Sequence, residues 1–190
     1  MREVIKAAAH AELREKGYDG LSHRLIAQRA GVDVTTVYRR WPTRSRFVAD
    51  LLLDIAAEQV RVPNTGSLVG DLTDFLRQIV AGLANQDLRR LAQALSAAAS
   101  EGDEEVAAAL REFWGQRFKQ AFVMLDRAVA CEELAAGADY QQIIEALVAQ
   151  AWFRALVSRE PTDDAFIARY VVLAVEWPAR SSVHNSKYMQ

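Results

Sequence analysis

The sequence predicts an all-α protein, with a small N-terminal head and a larger helical body and about nine helices in total. Three observations carry this. Apolar residues recur at three- and four-residue spacing along most of the 190 residues, and no stretch shows the sustained alternation and turn pairs that mark hairpins. Leu21 to Phe47 reads as two short helices about a tight turn. Charge is also unevenly placed: residues 1–48 hold ten Lys and Arg against five Asp and Glu, which leaves 13 against 20 for the remainder, so a net charge of -2 conceals a basic head.

The first helix is expected from Arg2 to Lys16, with Val4, Ile5, Ala8, Ala9 and Leu13 on one face and Gly17 as its stop. Leu21, Leu25, Ile26 and Ala30 then make the apolar face of a short helix, Gly31 breaks it, and Val32, Val34 and Val37 continue on a second one. Ser22 and Asp33 stand where N-caps belong, each with a side-chain oxygen for the exposed N–H groups of the helix it begins. Gly31 occupies the turn, where a Cβ is costly if φ is positive. Ile26, Val32, Val37 and Trp41 are assigned to the head core on apolar character. Helical phase places His23 on the exposed side, against phosphate or solvent. Trp41 and Pro42 mark a break, and Thr43 caps a linking helix over about 43–61, through Phe47, Leu51, Leu52 and Ile55.

Pro63, Asn64, Thr65 and Gly66 form the clearest linker. Beyond it, Leu68, Leu72, Phe75, Leu76, Ile79 and Leu83 are the stripe of a helix buried on one side, and a shorter helix follows through Leu88, Leu91 and Leu95. Gly102 and Asp103 punctuate; Glu104 and Glu105 then complement the dipole of a long helix reaching toward Leu134. Gly137 separates it from a helix through Ile143, Ile144, Leu147, Ala151, Trp152 and Leu156. Thr162, Asp163 and Asp164 open the last one, which carries Phe166, Ile167, Tyr170, Val171, Leu173 and Ala174 nearly to Pro178. This divides the chain into a head, 1–48, a body, 49–178, and a frayed polar tail, 179–190.

Composition narrows the function classes. Hydrophobic residues make up 51% of the chain, yet no apolar run approaches the roughly 18–20 residues of a membrane span. Arg2, Glu3 and Lys6 interrupt the first helix and Glu12, Arg14, Glu15 and Lys16 follow, which leaves no signal-peptide pattern, so the expected compartment is the cytoplasm. Cys131 stands alone, which permits no internal disulfide. An all-helical enzyme is the rival from another class. His10, His23 and His184 are scattered, and neither a Glu-x-x-His pair, a Cys pair nor a Gly-rich phosphate loop occurs, so no catalytic residue, metal or cofactor is assigned. A basic cluster on a small helical head is instead the electrostatic footprint of nucleic-acid binding.

The segment GYDGLSHRLIAQRAGVDVTTVYRRWPTRSRFV, Gly17 to Val48, combines a Gly-Tyr entry, an Ile-Ala pair, Ala-Gly-Val, a Val-Tyr pair and an aromatic-Pro step. In that order they resemble the helix-turn-helix head of the TetR family of one-component bacterial transcriptional regulators. The resemblance is specific over about the first quarter of the chain. Past Asp50 it rests on length, helix count and the Glu-Pro-Thr-Asp-Asp-Ala-Phe segment from Glu160 to Phe166.

What the resemblance implies is a second short helix lying in the major groove, with neighbouring groups on phosphates. The implied DNA contacts are Ser22, Arg24, Val34, Thr35, Thr36, Tyr38, Arg40, Arg44 and Arg46. Thr35, Thr36 and Val34 suit base edges and thymine methyls, and Tyr38, Arg44 and Arg46 suit the backbone. The chain departs from the family pattern at Thr35, where many members carry Gly or Ala, and at Arg46, where many are acidic.

The resemblance also implies a homodimer, which a two-fold operator of double-stranded DNA demands, paired through Trp152, Leu156, Phe166, Tyr170 and Leu173. Each of these residues equally suits an intramolecular core. Phe113, Trp114, Phe118 and Phe122, with Arg117 among them, read either as walls of a small-molecule effector pocket or as packing. The resulting expectation is a repressor in the bacterial cytoplasm, released from its operator when an effector shifts the linking helix. The alternative is a DNA-binding regulator answering to a protein partner or to no ligand.

Overall fold

A computed structural model describes residues 1–17, 20–44, 46–51 and 60–184, and among these every regular element is helical. In chain order they are α1 (Arg2–Lys16), α2 (His23–Ala30), α3 (Val34–Arg40), α4 (helical at 46–51), α5 (Leu68–Ala84), α6 (Gln86–Ser100), α7 (Glu104–Ala130), α8 (Tyr140–Phe153), a π-helical turn (Arg154–Ser158) and α9 (Asp164–His184). Of the linking helix expected over 43–61, residues 45 and 52–59 lie outside the described residues, and residues 60–61 are not helical.

Side-chain caps explain where these helices begin. Ser22 accepts from the Leu25 N–H, Asp33 from Thr35, Thr43 from Arg46, Ser67 from Gly70, Asn85 from Leu88, Asp103 from Val106, Asp139 from Gln142 and Asp163 from Phe166. Each satisfies a backbone donor that the first turn leaves without a partner, an effect worth about 1 kcal/mol.

By packing, the described residues fall into two units. The first gathers residues from Met1–Glu58 with Asn85–Trp114. Its core joins Ile5, Ala9, Ile26, Val37, Trp41, Phe47, Val48 and Leu51 of the head to Leu88, Leu91, Leu95, Val106 and Phe113. α6 and the first part of α7 thus complete the hydrophobic core that three short helices are too small to build alone. Across α1 and α2, Arg29 pairs with Glu15 at 2.7 Å and with the buried Glu12 at 3.2 Å.

The second unit takes Gln59–Ala84 and the chain from Gly115 onward. Here α5, α8 and α9 pack on one another. The stripe read from the sequence, Leu68, Leu72, Phe75, Leu76, Ile79 and Leu83, is buried throughout, and each such side chain gains about 1.5–3 kcal/mol from leaving water. One buried carboxylate stands out in this unit. Asp71 is 3% exposed and accepts from the Thr65 N–H at 2.6 Å, the Thr65 hydroxyl at 2.8 Å and Arg127 Nη2 at 2.8 Å. Arg127 also donates to the Pro63 carbonyl. The clasp holds the linker against both α5 and α7. Gly70 is required beside it, because a Cβ there would run into the Thr65 hydroxyl.

Three boundaries differ from expectation. α7 stops at Ala130, short of Leu134, because the Glu133 and Leu134 N–H groups both turn back to the Ala128 carbonyl while Glu132 takes φ 60°. α8 ends at Phe153, and Leu156 lies on the π-helical turn, closed by Arg159 at φ 58°. α9 continues past Pro178 to His184, so 179–184 are helical where a frayed tail was expected; residues 185–190 lie outside the described chain. A proline in a helix gives up one N–H bond and bends the turn before it, and a helix can run on past such a kink.

Removing the Asp71 carboxylate leaves the Thr65 N–H without its acceptor and Arg127 without its counter-charge. Asp71→Ala should therefore lower unfolding stability by about 3 kcal/mol in urea titration. Asp164→Ala breaks only the exposed pair with Arg77 and should change it by less than about 1 kcal/mol.

Candidate nucleic-acid interface

α2 and α3 meet across Gly31, whose φ of 65° is the left-handed conformation that the turn needs and that a Cβ would strain. α3 spans only seven residues, so its neighbours hold it. Val37 and Trp41 anchor its inner side at 0% and 1% exposure. At its start, the Thr35 hydroxyl and then the Thr35 N–H donate to Asp33, and these two bonds hold the Asp33 carboxyl below the usual carboxylate range.

That cap alters the reading of Thr35. Its hydroxyl proton is already directed to Asp33, which leaves its methyl and its lone pairs for a base edge. Thr35, Tyr38 and Arg40 are exposed on α3, Val34 and Thr36 are partly so, and Arg24 is exposed on α2. Ser22, the α2 cap, is half-buried. The Arg40 guanidinium lies 5.4 Å from the centre of the Trp41 ring, near the end of α3. These residues come together on the two helices of the turn.

The two linking-helix arginines differ. Arg44 is half-buried, whereas Arg46 is exposed and pairs with Glu112 of α7 at 2.8 Å. Sixty-six residues separate that pair, and nothing local in the sequence announces it. His23 is a correction. It is 7% exposed instead of facing solvent, its Nε2 lies 2.7 Å from the Trp41 carbonyl, and its ring stacks on Tyr38 with centroids 4.4 Å apart and an interplanar angle of 9°. Helical phase misplaced it because the chain entering α2 brings the ring under the end of α3.

The five aromatic and basic residues read as a pocket sit on α7 but in different surroundings. Phe113 belongs to the core of the first unit, with Trp114 packed against it at 4.9 Å. In the second unit, Phe118 is buried and Phe122 meets the Tyr140 ring at 5.6 Å. Arg117 donates to the Val60 carbonyl at 3.0 Å and to Gln120 at 2.9 Å, and burial pulls its pKa down. Of the pairing residues, Phe166 is buried and tilted against Tyr170, Trp152, Leu156 and Tyr170 are half-buried, and Leu173 is 43% exposed. Phe153, Val157 and Val172, which sequence reasoning passed over, are 52%, 66% and 50% exposed on the same elements. Among the described residues no three His, Cys, Asp or Glu gather as a metal site, and no helix is long and apolar enough to cross a membrane.

Residues 5–51 match the model of bacterial regulatory proteins of the tetR family, and residues 62–174 match a tetracyclin repressor-like C-terminal domain. A DNA-binding transcriptional repressor TetR of Mycobacteroides abscessus is 33% identical over 177 residues, 88% of each chain. The uncharacterized HTH-type regulator YdeS of Bacillus subtilis is 26% identical over 97% of this chain and 92% of its own. The crystal structure of the TetR family regulator SCO0332 superposes with a TM-score of 0.80 at 26% identity, covering 92% of this chain and 96% of that one.

The fold and the head define a helix-turn-helix DNA-binding protein. The chain belongs to the TetR family of transcriptional regulators, a family of regulators and not of enzymes.

The Asp33 cap carries a pH signature. A carboxyl whose folded pKa is depressed contributes stability that is complete above its unfolded value and disappears as pH falls through the folded one. The thermal midpoint of the wild type should therefore drop more steeply than that of Asp33→Asn below about pH 4, as followed by helical circular dichroism. Parallel curves for the two proteins would remove the cap from this role.

Proposed function

We propose that the protein is a repressor that binds a pseudo-palindromic operator as a homodimer, reading bases through Val34, Thr35 and Thr36, with Arg24 entering the groove and Arg40 on a phosphate or a guanine edge, and holding phosphates through Ser22, Tyr38, Arg44 and Arg46. The observation that carries this is the capped, seven-residue α3, with its apolar side locked in the core and Thr35, Tyr38 and Arg40 left outward. Residues 1–48 act as the reading head and 49–178 as the responding body. Repression is the favoured mode because occupancy of a promoter blocks polymerase without a further contact.

A two-fold operator needs two heads about 34–36 Å apart, which one copy cannot supply. The apolar side chains left outward on α8, the π-helical turn and α9 supply a surface for pairing, with Val157 and Phe153 the most exposed. They extend the set of Trp152, Leu156, Phe166, Tyr170 and Leu173. Such a surface on a lone chain would be an association hazard.

Release by a small molecule in the body is the accompanying proposal, with Arg117, Phe118 and Phe122 as the groups to test. Phe113 and Trp114 support a different part, since they pack in the core of the head's own unit. A second reading, in which the body answers to a protein partner or to nothing, is favoured by the engagement of Arg117 with a backbone carbonyl.

Arg46 binds phosphate only by leaving Glu112. Arg44→Ala should accordingly weaken DNA binding at every sequence and flatten its salt dependence by about one unit per head, and Arg46→Ala should have a smaller effect. Thr36→Ala should change sequence preference instead. Unaltered binding in all three would overturn this docking. Val157→Asp should yield monomers by light scattering and lose cooperative operator binding; a dimer that survives it is held together elsewhere.

A further inference from the structure

We propose that His23 is a positioning residue for DNA binding: its buried ring is the platform that holds Tyr38 ready for the phosphate backbone. The proposal rests on the reading of Tyr38 as a phosphate contact. Three contacts fix the imidazole. A carbonyl oxygen only accepts, so at 2.7 Å from the Trp41 oxygen it is Nε2 that carries the proton and donates. That bond also satisfies an acceptor at the C-terminal end of α3, where helical partners run out. The Phe47 ring stands 6.3 Å away at 51°, and Phe47 in turn meets Trp41 edge-on at 4.6 Å. The third contact is the parallel stack on Tyr38.

Tyr38 is the member of this aromatic group that remains open, at 50% exposure, next to the fully buried Val37. A half-exposed tyrosine on a short helix is free to swing, and ordering it on binding opposes association. The imidazole face removes that freedom beforehand, because a flat ring covers a flat ring. An aliphatic side chain at position 23 would fill the same space without a planar face and would leave the Trp41 carbonyl without its donor. A polar ring at 7% exposure, hydrogen-bonded on one side and stacked on the other, has both tasks. A histidine that merely ties α2 to α3 needs only the first.

The test is a double-variant cycle on the full-length protein. The probe is a double-stranded oligonucleotide enriched by that protein from a random pool, titrated at one salt concentration with thermal midpoints measured alongside. His23→Gln keeps an amide donor for Trp41 but loses the face, and should weaken binding by about three- to ten-fold per head. His23→Phe keeps the face and should stay within about two-fold. In a Tyr38→Ala background His23→Gln should add less than about two-fold, because its effect passes through Tyr38. Should His23→Gln not fold, His23→Leu replaces it.

Equal losses in both backgrounds, or a loss for His23→Phe matching that for His23→Gln, would show that His23 acts through the fold of the head and overturn the proposal. If Tyr38→Ala by itself leaves affinity intact, the phosphate role of Tyr38 fails and the proposal with it. Arg44→Ala then reports separately whether the docking of the head still stands.

Discussion

A helix of seven residues does not persist in water unaided, because nucleation fixes several residues for each bond gained. α3 is such a helix, and it is the second helix of the helix-turn-helix. The rest of the head follows from the need to hold it. Asp33 closes its first turn, Gly31 sets its angle to α2, Val37 and Trp41 bury its inner side, and His23 donates to the Trp41 carbonyl just past its end. Its outward face is what remains after those constraints are met.

The same need explains why the head does not close its own core. Ile5, Ile26, Val37, Trp41 and Phe47 share one apolar cluster with Leu88, Leu91, Leu95, Val106 and Phe113, so α6 and part of α7 belong physically with the DNA-binding helices. Positive charge is deployed just as selectively. The head is basic by composition, yet Arg29 is held by Glu12 and Glu15, and Arg46 by Glu112. Its field toward DNA therefore comes from fewer cations than the count suggests, among them the exposed Arg24, Arg39 and Arg40. A count of charged residues measures net charge, and only the pairing measures what is presented.

Helices and caps were legible wherever the causes are local. Ser22, Asp33, Thr43 and Asp163 lie within three residues of the N–H groups they cap, and the Leu68–Leu83 stripe repeats within one helix. Legibility failed at ends set by longer reach. α7 stops before Leu134 through bonds returning to Ala128, and α9 passes a proline that read as a stop. In the interface, exposure of Thr35, Tyr38 and Arg40 follows from α3 periodicity. His23 was misplaced because its surroundings come from residues 15 to 24 positions later in the chain.

By itself, then, the sequence determined the all-helical class, the place of the DNA-reading turn, most helix starts and the family, because these depend on contiguous residues and their spacing. Tertiary structure alone decided the partners: Glu112 for Arg46, Arg127 for Asp71, the Trp41 carbonyl for His23, and α6 for the head. Each joins positions 18 to more than 60 residues apart, and which of many compatible side chains meet depends on the faces that packing turns toward each other.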